Sequence, residues 1–251
     1  MRQQYNRRRI QCAGFVCCAV LIFGMPSCNV SSGPPAGRMR TMSKTIPLGH
    51  QKSVDVEIKM GAGELRVANG SSNLVSAEFT YNVDSWKPEI RYGVTGTRGT
   101  LTIQQPSGVH NNRGKTHYDW DIRLNSQVPM EMNVNLGAGK ANLNLAGLNL
   151  SRLNLNVGAG EADIDLDGGW QHDVAASIHG GVGQVTLRLP RDVGVRATVH
   201  GGLGAIHADG FSRKGNAYTN SAYGESKGNL NIEVEGGIGE VNLVFGGGGT
   251  I

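Results

Sequence analysis

The chain has 251 residues, with 24 Lys and Arg against 20 Asp and Glu and a formal charge of +4. Four of those basic residues, Arg2, Arg7, Arg8 and Arg9, precede Cys28 with no acid among them, which leaves 20 against 20 in the rest. A body of zero net charge carries no electrostatic footprint for nucleic acid. With Cys12, Cys17, Cys18 and Cys28 all near the start, that body forms neither an internal disulfide nor a cysteine zinc site.

Residues 1–27 read as an export signal. Arg7 to Arg9 make a positive start, and Ala13 to Met25 is an apolar run too short to cross a ~30 Å hydrocarbon core as a helix. The segment closes on Gly24-Met25-Pro26-Ser27-Cys28, which resembles a bacterial lipobox: a small residue before the cysteine and an apolar residue three before it. The resemblance implies cleavage before Cys28, lipid on its sulfur, and an exported lipoprotein held to a membrane of the cell envelope. Residues 28–45, which include Ser31 to Arg40 (SSGPPAGRMR), are expected to form a flexible tether.

Residues 46–130 are expected to form an irregular antiparallel β section that opens or caps the repeat region after it. Strand-like runs cover Leu74–Asn82, Glu89–Gly93, Thr100–Gln104 and Asp119–Leu124. Gly108 to Thr116 (GVHNNRGKT) looks like a phosphate-binding loop but has five residues between its glycines where the motif needs four. It also precedes a strand-like run rather than a helix, so the reading fails. Tyr81, Trp86, Tyr92, Tyr118 and Trp120 either fill the wide end of a β core or offer a platform for sugar rings.

Residues 131–251 carry the main signal. A Gly-x-Gly triplet stands at Gly61, Gly137, Gly158, Gly181, Gly202 and Gly237; the middle four begin at intervals of 21, 23 and 21. A fixed period near 21 marks a stacked repeat. Apolar residues alternate on both sides, as in Met132, Val134 and Leu136 before the triplet and Ala141 and Leu143 after it. Asn133, Asn135, Asn142 and Asn144 lie between and face solvent. The expected fold is all-β: a right-handed β-solenoid with a rung of about 21 residues and glycine at the corners. Stacking in sequence order sets Lys140 against Glu161 and Asp165 against Arg188.

Three features are candidate sites. Glu161, Asp163, Asp165 and Asp167 alternate along one strand; they form a solvated face, hold Ca²⁺, or supply a carboxylate pair to glycan hydrolysis. His179 and His200 each stand two residues before a triplet and would stack as a pair, with His207 across the corner. Asn156, rather than a carboxylate, holds the matching place, so they read as a polar ladder or a proton-sensitive patch. The last two triplets lie 35 apart, 202 to 237, and the extra length falls in 210–228. That insertion is a candidate binding loop, with Arg213, Tyr218 and Tyr223 as its contact residues. No triplet completes G-x-G-x-x-G, and no motif calls for a cofactor.

Trp86-Lys87-Pro88, Gly99-Thr100-Leu101-Thr102-Ile103 and Trp120-Asp121-Ile122-Arg123-Leu124, followed by repeated LGAG and LNL blocks, resemble the bacterial toast-rack domain family over roughly Ile46 to Phe245. That resemblance implies a cell-envelope protein, similar to the LiaF-type proteins that modulate responses to cell-wall-active antibiotics. It brings no catalytic residues. The expected function is a non-enzymatic, lipid-anchored envelope protein that presents a rigid surface to an envelope protein. An adhesin-like or glycan-binding module and a Ca²⁺-dependent polysaccharide-acting enzyme are the alternatives.

Overall fold

The computed structural model describes residues 37–107 and 115–247, all within the unit Ser32–Ile251. Residues 1–27, read above as an export signal, Cys28 and most of the loop at 108–116 lie outside the described residues. Among the described residues, thirteen strands join in one sheet. Six of them are long: β2 (Ser53–Asn69), β7 (Met130–Asn144), β8 (Leu150–Asp165), β9 (Val174–Leu189), β10 (Gly194–His207) and β13 (Asn229–Phe245). They lie side by side in parallel, and each carries one triplet at its middle.

Each long strand has two legs that meet at the triplet. In β7, Met132, Val134 and Leu136 are buried before it, and Ala141 and Leu143 after it. Leu136 and Ala141 are an odd number of residues apart, so a straight strand would turn them to opposite faces. A side chain built on Gly180 would touch Val185 at 3.4 Å, whereas five extended residues span about 16 Å. The chain therefore turns a corner at the triplet, and both legs face one core.

Glycine is required there for two reasons. The third triplet residue takes φ of 143° in Gly63, 128° in Gly139 and 135° in Gly160, a region that L side chains avoid. A Cβ on Gly139 would also overlap the carbonyl oxygen of Gly63, and one on Gly160 that of Gly139. The outward columns hold the strands in register: Asn154 donates to Asn133 at 2.7 Å, Asn156 to Asn135 at 2.9 Å, and Lys140 meets Glu161 at 3.2 Å as expected. Asp165 and Arg188 do share a register row, but Asp165 accepts the backbone N–H of Asp167 at 2.9 Å instead of pairing with the guanidinium.

Arg40–Ile46 forms a strand where the tether was expected to run to residue 45, and two further features differ from the sequence expectation. The first is strand order, which runs β2-β7-β8-β9-β13-β10. β10 does not stack on β9; the last strand in sequence, β13, fills the place between them. The 35-residue interval is thus a crossover. The chain lays down β10 and covers its first leg with a small hairpin, β11 (Ser212–Lys214) and β12 (Ala217–Thr219). It then returns past Asp173 to start β13 inside, where Asn229 N–H donates to the Asp173 carboxylate at 2.9 Å.

The second is the N-terminal section, which is mixed rather than antiparallel. β2 is a full member of the stack. Its outer edge is covered by β5 (Arg98–Gln104) on the first leg and β6 (Tyr118–Leu124) on the second, both parallel to it. Antiparallel pairing lies further out, where β4 (Glu89–Thr95) joins β5, and β3 (Val75–Tyr81) links β6 to β1 (Arg40–Ile46). The corner at this end is closed as well: Gly61 N–H donates to the Gln105 side chain at 2.7 Å. Beneath it, Trp120 packs edge-on against Phe79 and Tyr118, centroids 5.4 Å apart in each case, and Trp86 packs on Tyr118.

A candidate binding corner at the end of the stack

The corners change character along the stack. Just before the triplet stand Met60, Leu136 and Val157, all buried; in the last three strands the same place is held by Gly180, Gly236 and Gly201. Just inside the second leg β2 has Leu65, the next two long strands have Ala141 and Ala162, and the last three have Val185, Val241 and Ile206. The β-branched residues do not replace what is lost, and a cavity of about 300 Å³ remains, lined by Gly180, Val185, Val199, Gly236 and Val241 among others. That volume is at the small end of ligand-sized pockets. Gln184, His200, Asn216 and Glu240 are the polar side chains of its lining.

The tip of the corner changes with it. Ala62, Ala138 and Ala159 give way to Val182 and Ile238. Val182 and Ile238 are each 56% exposed and lie in register on neighbouring strands. The inside of this corner is underfilled and its outside is apolar, which core packing alone does not demand.

The histidines border this corner but are not a stacked pair. β13 places Glu235 in the row between His179 and His200. His179 Nδ1 lies 2.9 Å from Glu235 and its Nε2 3.0 Å from Ser177 Oγ. His200 faces Glu233 at 3.9 Å, and His207 faces Glu240 at 3.6 Å. The carboxylate that sequence reasoning missed was visible: Glu235 also stands two residues before a triplet, and only the assumption of sequence-order stacking hid it.

The insertion serves the fold as well as the surface. Tyr218 is buried and Arg213 lies over its ring, 5.4 Å from the centroid. Asn220, also buried, donates to the carbonyls of Pro190, Arg191 and Val193 and accepts from Val195 N–H. Arg213 is exposed, Tyr223 half-buried. Asn216, at the hairpin's tip, borders the cavity.

The other candidates lie elsewhere. Glu161 is engaged by Lys140 and Asp165 by a backbone amide; among the described residues no three His, Cys, Asp or Glu side chains converge on a metal position. Burial, and then the charges of Asp165 and Asp192, push the Asp167 carboxyl above its usual range. Tyr81, Trp86, Tyr118 and Trp120 are buried in the core, and burial drives the Tyr118 phenol upward.

The family described as the N-terminal domain of toast_rack, DUF2154, matches residues 35–188. A solved structure from Clostridium sporogenes, named a "putative cell adhesion protein", superimposes with a TM-score of 0.81 and 32% identity, over 83% of this chain and 100% of its own. A "putative adhesin" from Bacteroides fragilis covers 85% of this chain and 100% of its own at 8% identity and a TM-score of 0.31, too low to carry an argument. No curated protein matches the sequence.

Proposed function

The chain belongs to the toast-rack family, and from that premise we propose that it is a non-enzymatic envelope lipoprotein whose β stack presents a rigid surface to a protein partner. The anchor in this reading is lipid on Cys28, and the likeness to LiaF-type proteins supports a partner in envelope-stress sensing. Parallel connections within one sheet are right-handed in about 98% of cases, which supports a right-handed solenoid. The observation that carries the surface reading is the apolar ridge of Val182 and Ile238 beside an underfilled cavity. Aliphatic side chains held in water on rigid strands gain about 25 cal/mol per Å² when a partner covers them. Arg213, on the hairpin whose Asn216 borders the same cavity, extends the surface.

Two measurements test this. Labelled fatty acid is expected to enter the full-length chain in cells and to be lost in Cys28→Ala; labelling that survives the substitution removes the anchor. A photo-crosslinking residue at Ile238 is expected to capture one reproducible protein, identified by mass spectrometry, while the same residue at Ser43, on the opposite edge strand, captures none. Equal capture at both positions removes the surface. The name of the Clostridium sporogenes relative supports a second reading, an adhesin-like module, which predicts glycan in place of protein at Ile238.

A further inference from the structure

The geometry points to a strand-addition site on the second leg of β10, where an extended segment of a partner polypeptide pairs with the free edge and seats an apolar side chain in the corner cavity. This rests on the binding reading above and names the chemistry of the partner. In the long strands, core-facing residues aim their N–H groups at the next strand along. Val54 donates to Pro129 O, Met130 to Asn149 O, Leu145 to Asp165 O and Leu166 to Arg188 O. β10 is the last long strand. In its first leg the same groups are taken up by the chain itself: Val195 N–H by the Asn220 side chain and Val199 N–H by Asn216 O. The hairpin's pairing with β10 stops at Thr198. Among the described residues no strand covers the second leg, so the same geometry aims the Ile206 N–H out of the stack. At the opposite end of the stack, β5, β6 and Gln105 cover the equivalent edge completely.

The occupant follows from the surroundings of this edge. It is continuous with an edge where β12 is already added as a strand, so a further strand is the geometry that completes it. The cavity opens on it because Gly180, Gly236 and Gly201 leave out the side chains that Met60, Leu136 and Val157 supply elsewhere. The edge residues themselves, Gly204, Ala205 and Ile206, carry no charge, and the flanking carboxylates are turned to other side chains, Glu233 to His200 at 3.9 Å and Glu240 to His207 at 3.6 Å. The matching segment is therefore uncharged where it meets the edge, small at the corner, and apolar at the residue that enters the cavity.

A synthetic peptide with the sequence of residues 136–143 but glutamine in place of Lys140, LGAGQANL, satisfies these demands, and its first leucine stands where the last three strands have glycine. Fluorescence anisotropy of the labelled peptide with the full-length protein in detergent is expected to show saturable binding that changes less than about twofold between 50 and 500 mM salt. Replacing the peptide's first leucine with glycine is expected to weaken binding at least about tenfold. Gly236→Val puts a side chain into the cavity itself. A Cβ there meets only Val241, at 3.9 Å, so the melting temperature is expected to hold or rise while peptide binding falls at least about tenfold. Gly201→Val, whose Cβ meets only Ile206 at 3.7 Å, gives the same result if the first variant folds poorly. Unsaturable binding, equal binding of the glycine peptide, or full binding by a folded Gly236→Val protein overturns the proposal. A stable dimer that the peptide does not dissociate also overturns it, in favour of a second copy at this edge. A protein captured at Ile238 in cells without peptide binding leaves the surface reading standing and removes strand addition.

Discussion

Single residues set the limits of this fold, and the triplet glycines set the hardest one. The third triplet residues Gly63, Gly139, Gly160, Gly183 and Gly239 combine a positive φ with a backbone carbonyl where a Cβ would be. Gly139→Ala therefore forces both a strained backbone, about 1–3 kcal/mol, and a separation of two strands. Thermal unfolding is expected to show a loss of at least about 3 kcal/mol. Ala138→Val, one residue away at an exposed tip where β9 itself carries Val182, is expected to stay within about 0.5 kcal/mol. Equal losses would mean that the tip is constrained as tightly as the glycine. A second limit is electrostatic. The Asp167 carboxyl is raised by burial first and by Asp165 and Asp192 second, so the folded protein holds that proton more tightly than the unfolded chain does. Its contribution is favourable below the ordinary carboxylate range and is lost as pH rises through the raised value. Asp167→Asn is thus expected to raise the melting temperature at pH 7 and to show a shrinking gain as pH falls toward 4. A gain that does not change with pH would assign the effect to packing rather than charge.

At the scale of elements, the hairpin is the part whose role the sequence disguised. Residues 210–228 are polar and irregular, which reads as a free loop, yet Tyr218 and Asn220 are buried. Composition could not reveal this, because the hairpin's stability comes from long-range bonds: one asparagine side chain serves three carbonyls and one amide more than twenty residues away. Asn220→Ala leaves the Val195 N–H without its acceptor and is expected to cost about 2–4 kcal/mol. Hydrogen exchange is expected to quicken in Arg196–Val199, which the hairpin covers, and to stay unchanged in β2. Uniformly faster exchange across the stack would show that the hairpin holds the whole sheet together rather than one edge. The four short strands predicted before Pro129 fared better. Each lies within two residues of its expected boundaries, because alternation of apolar and polar residues is a local signal that survives whatever the strand later pairs with.

For the whole molecule, the period of the repeat was legible and the order of the stack was not. Gly-x-Gly spacing shows that strands stack, since the corner glycines fit only against each other. It carries no information on which of several equivalent strands is the neighbour, because Gly181, Gly202 and Gly237 present the same surface. Sequence order is the natural assumption, and it failed at β13, taking the expected pairing of His179 with His200 along with it. The candidate corner was half legible: the doubled glycines at 180, 201 and 236 stand in the sequence, but only their convergence in β9, β13 and β10 turns three small residues into one cavity. This order has a direct chemical test, since the body has no cysteine of its own. Gln184 and Glu240 share a register row between β9 and β13, and Glu240 shares one with Ala205 of β10. In-register neighbours about 4.8 Å apart lie within disulfide range, whereas residues two strands apart, about 9.6 Å, lie outside it. Gln184→Cys with Glu240→Cys is expected to oxidise to an intramolecular disulfide, as is Glu240→Cys with Ala205→Cys. Gln184→Cys with Ala205→Cys is expected to stay reduced under the same conditions. A disulfide in that third protein and none in the first two would put β10 against β9 and dissolve the cavity, the free edge and the His–Glu row together, because all three exist only if the last strand lies inside the one before it.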